Sequence, residues 1–269
     1  MKAEVKNLRK YGKAPFRLVV IHGGPGAAGE MAPVALELSS DCSVLEPLQT
    51  AASVEGQIKE LRMVLEKNGS LPVTLIGFSW GAWLSFIFAA SYPSFVEKII
   101  LIGSGCFEEK YAEKIEETRL KRLNEEDRSE VKAIMKALDN SAADNKRRIF
   151  ARFGEIFTKA DAFDPLPYQL QVIDYRVEIF QCVWKDAREL RRSGKLLEFG
   201  KHVKCPVTVI HGDYDPHPFE GVQKPLSDVL GDFKFILLRN CGHMPWIERQ
   251  AKAEFFKILR QEMCQTIQS

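Results

Sequence analysis

The sequence predicts an α/β protein: a mostly parallel sheet flanked by helices, with a helical segment inserted into it. Three observations carry this expectation. Short apolar runs of strand length at 16–21, 73–76, 96–102, 206–210 and 233–238 fall among helix-period segments in the first and last parts of the chain. The run at 96–102 is apolar almost throughout, as a strand covered on both faces is. Between 107 and 204 the texture changes, and charged helix-period segments follow one another without a convincing strand. The expected division is therefore a core from 1–106 and 205–269, with 107–204 as the insertion.

Composition sets the outer limits. A chain of 269 residues, 45% hydrophobic and 28% charged, can bury a full core without staples. A net charge of +2 gives no field that favours nucleic acid or anionic lipid as a partner. Residues 1–13 lack an apolar core, and no run reaches the length of a membrane span. The six cysteines have no paired spacing, which suits reduced thiols. The expectation is a soluble, cytoplasmic protein with no metal and no cofactor.

Taken in order, the strand at 16–21 runs into His22-Gly23-Gly24-Pro25-Gly26, a loop that bares backbone amides at the carboxyl end of a strand. His22 is read as a brace for this loop. A short helix at 32–38 and a short strand at 43–46 follow, then a one-faced helix at 54–67 ended by Asn68-Gly69. The strand at 73–76 leads into Gly77-Phe78-Ser79-Trp80-Gly81 and a helix at 81–90 that is apolar nearly all round, hence buried on most sides.

In the insertion, helices are expected at 108–123, 125–138 (capped by Asn124), 146–157 and 170–192. Lys146-Arg147-Arg148 and Arg191-Arg192 are read as solvated helix faces. Strands then return at 206–210 and 233–238, ending in His211-Gly212-Asp213-Tyr214-Asp215-Pro216 and in Asn240-Cys241-Gly242-His243. A closing helix is expected over 246–267, with Trp246 and Phe255 in the core and Glu248 exposed or ion-paired.

A serine between two glycines at a strand-to-helix junction fits a nucleophile elbow, where a sharp turn holds the hydroxyl clear of the backbone. The order Ser79, Asp215, His243, each after its own strand, is the order of a nucleophile, orienting acid and general base. The amides of Trp80 and Gly24 are the expected oxyanion donors. Asp213 rivals Asp215 for the role of the acid, its other reading being a turn-forming carboxylate; His217 is read as a loop or cap-contact residue, and Cys241 as a bystander.

With these motifs the chain resembles the α/β-hydrolase superfamily over roughly 16–105 and 205–265, and the His-Gly-Gly-Pro-Gly loop and Trp80 resemble its prolyl iminopeptidase branch. The segment 46–53 departs from that branch by lacking its arginine-containing loop. The resemblance implies an enzyme acting on a small ester, amide or short peptide, with a helical cap that shapes its pocket. Carbon–carbon cleavage by the same triad, and a non-catalytic binding role, are the alternatives. A free α-ammonium group on the substrate would require cap carboxylates, for which Glu155, Asp161, Asp174 and Glu178 are the candidates.

Overall fold

The computed structural model describes residues 7–140, 143–168 and 174–267. Strand β1 (Leu8–Tyr11) precedes β2 (Leu18–Ile21), the two-residue β3 (Ala27–Ala28), α1 (Ala32–Leu38), β4 (Val44–Pro47), α2 (Val54–Asn68), β5 (Val73–Phe78), α3 (Trp80–Ser91) and β6 (Val96–Ile102). The helical block holds α4 (Glu109–Ala112), α5 (Ile115–Arg122), α6 (Glu125–Asn140), α7 (Ala143–Asp161), the short β7 (Asp174–Tyr175), α8 (Val177–Arg192) and α9 (Lys195–Glu198). Then come β8 (Val207–Gly212), α10 (Glu220–Val229), β9 (Phe233–Leu238) and α11 (Lys252–Ile267).

Seven strands form one sheet in the order β1-β4-β2-β5-β6-β8-β9. Only β1 runs antiparallel to its neighbour. Alternate residues of the central strands feed two cores, because successive side chains of a strand point to opposite faces. Val19, Ile21, Leu75 and Leu101 pack with Leu61 of α2 and Trp83 and Phe86 of α3. Val20, Ile76, Ile100 and Ile210 pack with Leu38 of α1 and Phe255 and Leu259 of α11. The helical block adds a smaller core of Leu123, Val131, Ile134 and Ile156. No helix among the described residues is long and apolar enough to cross a membrane.

The segment expected as one helix over 108–123 is two, α4 and α5. Asn124 caps α6 as expected, its Oδ1 accepting from Asp127 N at 2.8 Å. The insertion is not strand-free: β7 pairs antiparallel with β3, which follows the glycine-rich loop directly. A two-residue strand has no periodicity to read, so the sequence carried no sign of it. Residues 170–173, the start of the last predicted helix of the insertion, lie outside the described residues. The closing helix begins at Lys252 and not at Trp246, because Pro245–Ile247 is a separate 3-10 turn. Trp246 and Phe255 are buried, as expected. Arg191 departs from the solvated-face reading: it is buried, bonded to Glu109 at 2.7 Å, and lies over the Trp83 ring.

Candidate active site

Ser79 sits between the end of β5 and the first turn of α3 with φ 51° and ψ −112°, a conformation that costs a non-glycine residue about 1–3 kcal/mol. What holds it there is close packing on both sides. A Cβ at Gly77 would strike the carbonyl of Gly81, and one at Gly81 would strike the carbonyl of Ile21, so only glycine fits either place. The serine therefore stands at the head of α3, whose first amides have no partner within the helix and carry positive partial charge. The Trp80 ring is buried, with Nε1 donating to Gln57 Oε1 at 2.9 Å, which leaves its backbone amide at the helix tip beside Ser79.

The glycine-rich loop leaves β2 next to β5 and turns through an Ala27 N to Gly24 O bond of 2.8 Å. His22 is buried with Nδ1 2.7 Å from Gly23 O, and burial lowers its pKa to about 4. It is a neutral brace, as the sequence suggested. Gly26, at φ 84°, accepts from Arg176 N at 3.0 Å, so the helical block grips the loop directly.

Two loops from the far side of the sheet complete the site. His243 Nδ1 lies 2.7 Å from Asp215 Oδ2. Burial opposes ionisation of Asp215, but His243, His217 and His211 around it win and hold it well below the usual carboxylate range. Burial likewise lowers His243, and the adjacent Asp215 charge more than reverses this, leaving its pKa raised. Asp213 is an exposed turn residue 3.3 Å from Cys241 N. Cys241 is fully buried, and burial pushes its thiol far up, away from thiolate chemistry.

His217 lies in the loop after β8, as expected, but that loop turns it into the site: it is buried, with Nδ1 2.7 Å from Asp215 Oδ1 and its ring 4.7 Å from that of His243. One expectation fails here. Glu248 is not exposed, and among the described residues it makes no ion pair. It is buried and accepts the amides of Phe163, Asp164 and Gly242, each at 2.8 Å, so it ties the end of α7 to the His243 loop. A carboxylate serving backbone amides leaves no charge pattern in a sequence. Asp215, His217 and His243 also have ligand-type atoms within 4.8 Å of one another. Both imidazole Nδ1 atoms face the ionised Asp215 carboxylate and so carry protons, which a metal would have to displace.

Ser79, Trp80, Gly24, His217 and His243 all line one cavity of about 550 Å³ between the sheet edge and the helical block. Its far wall is aromatic, built from Phe150, Phe153, Phe157, Phe180 and Trp184. Of the carboxylates named from sequence, Glu155 and Glu178 are exposed, and Glu155 pairs with Arg152. Asp161 reaches the cavity but is held by Arg119 through bonds of 2.8 and 2.6 Å. The side chain of Asp174 lies outside the described residues. Sequence reasoning missed Glu30, which lines the cavity from just beyond the glycine-rich loop. Its Oε2 is sealed from solvent without a hydrogen-bond partner, and burial raises its pKa to about 7. A lone glutamate after Ala-Ala-Gly carries no motif that could have marked it.

A strained serine at a strand-to-helix turn, a buried Asp–His pair and an aromatic cavity between them are the parts of a hydrolase built on an α/β sheet. The chain belongs to the α/β-hydrolase fold family, whose model matches residues 17–250, and it is a hydrolase enzyme. Over 253 residues it is 25% identical to the proline iminopeptidase of Heyndrickxia coagulans, covering 86% of this chain and 85% of that one. The structure of the proline iminopeptidase of Mycobacterium smegmatis superposes with a TM-score of 0.62 at 17% identity, covering 96% of this chain and 94% of that one. A carboxylesterase structure from the thaumarchaeon Nitrososphaera gargenis gives 0.63 at 20% identity, covering 97% and 94%. These likenesses support the expected fold and its prolyl iminopeptidase-like relative.

Proposed function

We propose that this protein is a serine hydrolase that cleaves a small ester or amide through an acyl-enzyme, with Ser79 as nucleophile, His243 as general base and Asp215 as the orienting acid. The observation that carries the reading is the strained Ser79 at the head of α3, sharing a cavity with a His243 already hydrogen-bonded to Asp215. Ser79 Oγ attacks the carbonyl carbon while its proton passes to His243 Nε2, then to the leaving group. Asp215, kept ionised, fixes Nδ1–H on His243 and stabilises the cation formed. The amides of Trp80 and Gly24 receive the oxyanion, each worth about 3–4 kcal/mol in such sites. The core of 1–106 and 205–269 supplies this chemistry, and the cap of 107–204 supplies the aromatic wall that selects an apolar acyl group. Cys106, Cys182, Cys205 and Cys241 carry free thiols, which supports a reducing, cytoplasmic location.

The test is labelling by a fluorophosphonate, followed by a hydrolysis screen of acyl esters, lactones and aminoacyl naphthylamides. An unlabelled protein refutes the proposal. In Cys241→Ala, labelling persists at the wild-type rate, since that thiol has no part in the reaction; its loss would contradict the assignment.

A second reading, an iminopeptidase-like preference for aminoacyl substrates, is favoured by Glu30. A carboxylate half shut away without a partner is costly, and a substrate ammonium group would supply its counter-charge. Glu30→Gln then raises KM for an aminoacyl naphthylamide tenfold or more, a loss of about 1.4 kcal/mol or more. KM for an N-acylated ester changes less than about twofold, which is within about 0.4 kcal/mol. Equal effects on both substrates favour a general carboxylesterase.

A further inference from the structure

Asp215 carries two imidazoles. His243 donates to one carboxylate oxygen and His217 to the other, both at 2.7 Å. The second attachment follows from local sequence: in Asp215-Pro216-His217 the aspartate oxygen also accepts the backbone N–H of His217 at 2.9 Å, the Asx turn that aspartate favours two residues ahead of itself. His217 O in turn lies 2.9 Å from Nε2 of the buried His211, so the residue is anchored from three directions.

The proton on His217 is assigned by these contacts. An ionised carboxylate can only accept, so Nδ1 carries the hydrogen. Burial, set against the Asp215 charge, lowers the pKa of His217 to about 4, so near pH 7 the ring is neutral and Nε2 has a free lone pair. Among the described residues nothing is hydrogen-bonded to that nitrogen, and His217 lines the cavity beside His243. The two rings are tilted by 33° with centroids 4.7 Å apart, hung by the same atom from one carboxylate, so their far edges reach the same end of the cavity.

We infer that His217 is a second catalytic imidazole, whose Nε2 accepts a hydrogen bond from the water that hydrolyses the acyl-enzyme. This rests on the serine-hydrolase reading above. In that step the water gives one proton to His243 Nε2 as its oxygen bonds to the acyl carbon. The bond from the acyl carbon to Ser79 Oγ then breaks, and Ser79 takes the proton back from His243. His217 keeps its own proton throughout; its lone pair holds the second O–H of the water, aiming the oxygen lone pair at the carbon. Acylation involves no such water, so His217 acts on deacylation alone.

Two substitutions separate this role from support of Asp215. Asparagine carries its amide where Nδ1 lies and glutamine reaches the place of Nε2, so His217→Asn keeps the donor to Asp215 and His217→Gln keeps a polar group near the water. Stopped-flow hydrolysis of a p-nitrophenyl ester measures the burst, which is acylation, and the steady rate, which is deacylation. In His217→Asn the burst rate and the fluorophosphonate labelling rate stay within about twofold of wild type, while deacylation falls tenfold or more, in the lower part of the range for positioned acid–base groups, about 10²–10⁴. His217→Gln recovers part of the deacylation loss. Acylation and deacylation falling together, or labelling slowing in step, would show that His217 serves only Asp215 and overturn the inference; so would two rates left unchanged. If one variant does not fold, the other still divides the steps. A wild-type protein that neither labels nor bursts fails the serine reading itself, a different result from either.

Discussion

Ser79→Ala lowers turnover of every ester or amide substrate by about 10⁴-fold or more, since removing one member of a unit that acts together forfeits most of its effect. The fold is untouched. Alanine meets the same backbone strain as serine at φ 51°, and among the described residues the Ser79 hydroxyl makes no hydrogen bond whose loss would cost stability. Measured kcat and the thermal midpoint together check this. Near-normal esterase activity in the variant would end the elbow assignment, and a large fall in the midpoint would mean that Ser79 holds structure instead.

Asp215→Asn costs about 10⁴-fold in kcat, the size of effect seen when the orienting carboxylate of a triad is neutralised and the histidine adopts the wrong tautomer. Here the effect has a second source. The carboxylate accepts Nδ1–H from His243 and both Nδ1–H and N–H from His217, and an asparagine amide nitrogen facing either ring would set donor against donor. Asp213→Asn changes kcat by less than about threefold, under about 0.7 kcal/mol, because that residue lies at the surface with its carboxylate turned toward Cys241 N. The pH profile gives an independent readout. Asp215 holds His243 above the usual imidazole pKa, so its loss moves the acid limb of kcat/KM to lower pH. The reverse ranking of the two variants would place the acid at 213.

Most of what positions this site was readable along the chain. Apolar runs marked β2, β5, β6 and β8 to within a few residues, because a strand buried on both faces must be apolar wherever it is buried; β9, a partly buried edge strand, was marked by its apolar run as well. The bounds 32–38 and 233–238 match α1 and β9 outright. The glycines beside Ser79 were readable for the same local reason: the crowding that demands them arises within one turn of chain and from the adjoining strand.

The sequence by itself determined the kind of protein: a parallel α/β sheet whose strand ends present a serine, an acid and a histidine in hydrolase order. Strand period, turn chemistry and motif spacing are local properties, and they survive being read one residue after another. Only the tertiary structure decided what surrounds those groups. Glu248 became a clasp for three amides because residues 163, 164 and 242 converge on it from distant parts of the chain. His217, a loop residue, was set against Asp215 because the turn at Pro216 folds it back beside a ring 26 residues further on. Among the described residues Glu30 became a cavity carboxylate with no Arg or Lys partner, and Asp161 a paired one, according to whether a cation such as Arg119 was folded against it. Burial, charge and hydrogen-bond supply at a side chain are set by atoms far away in sequence, so the environment that gives each residue its chemistry exists only once the chain has closed around it.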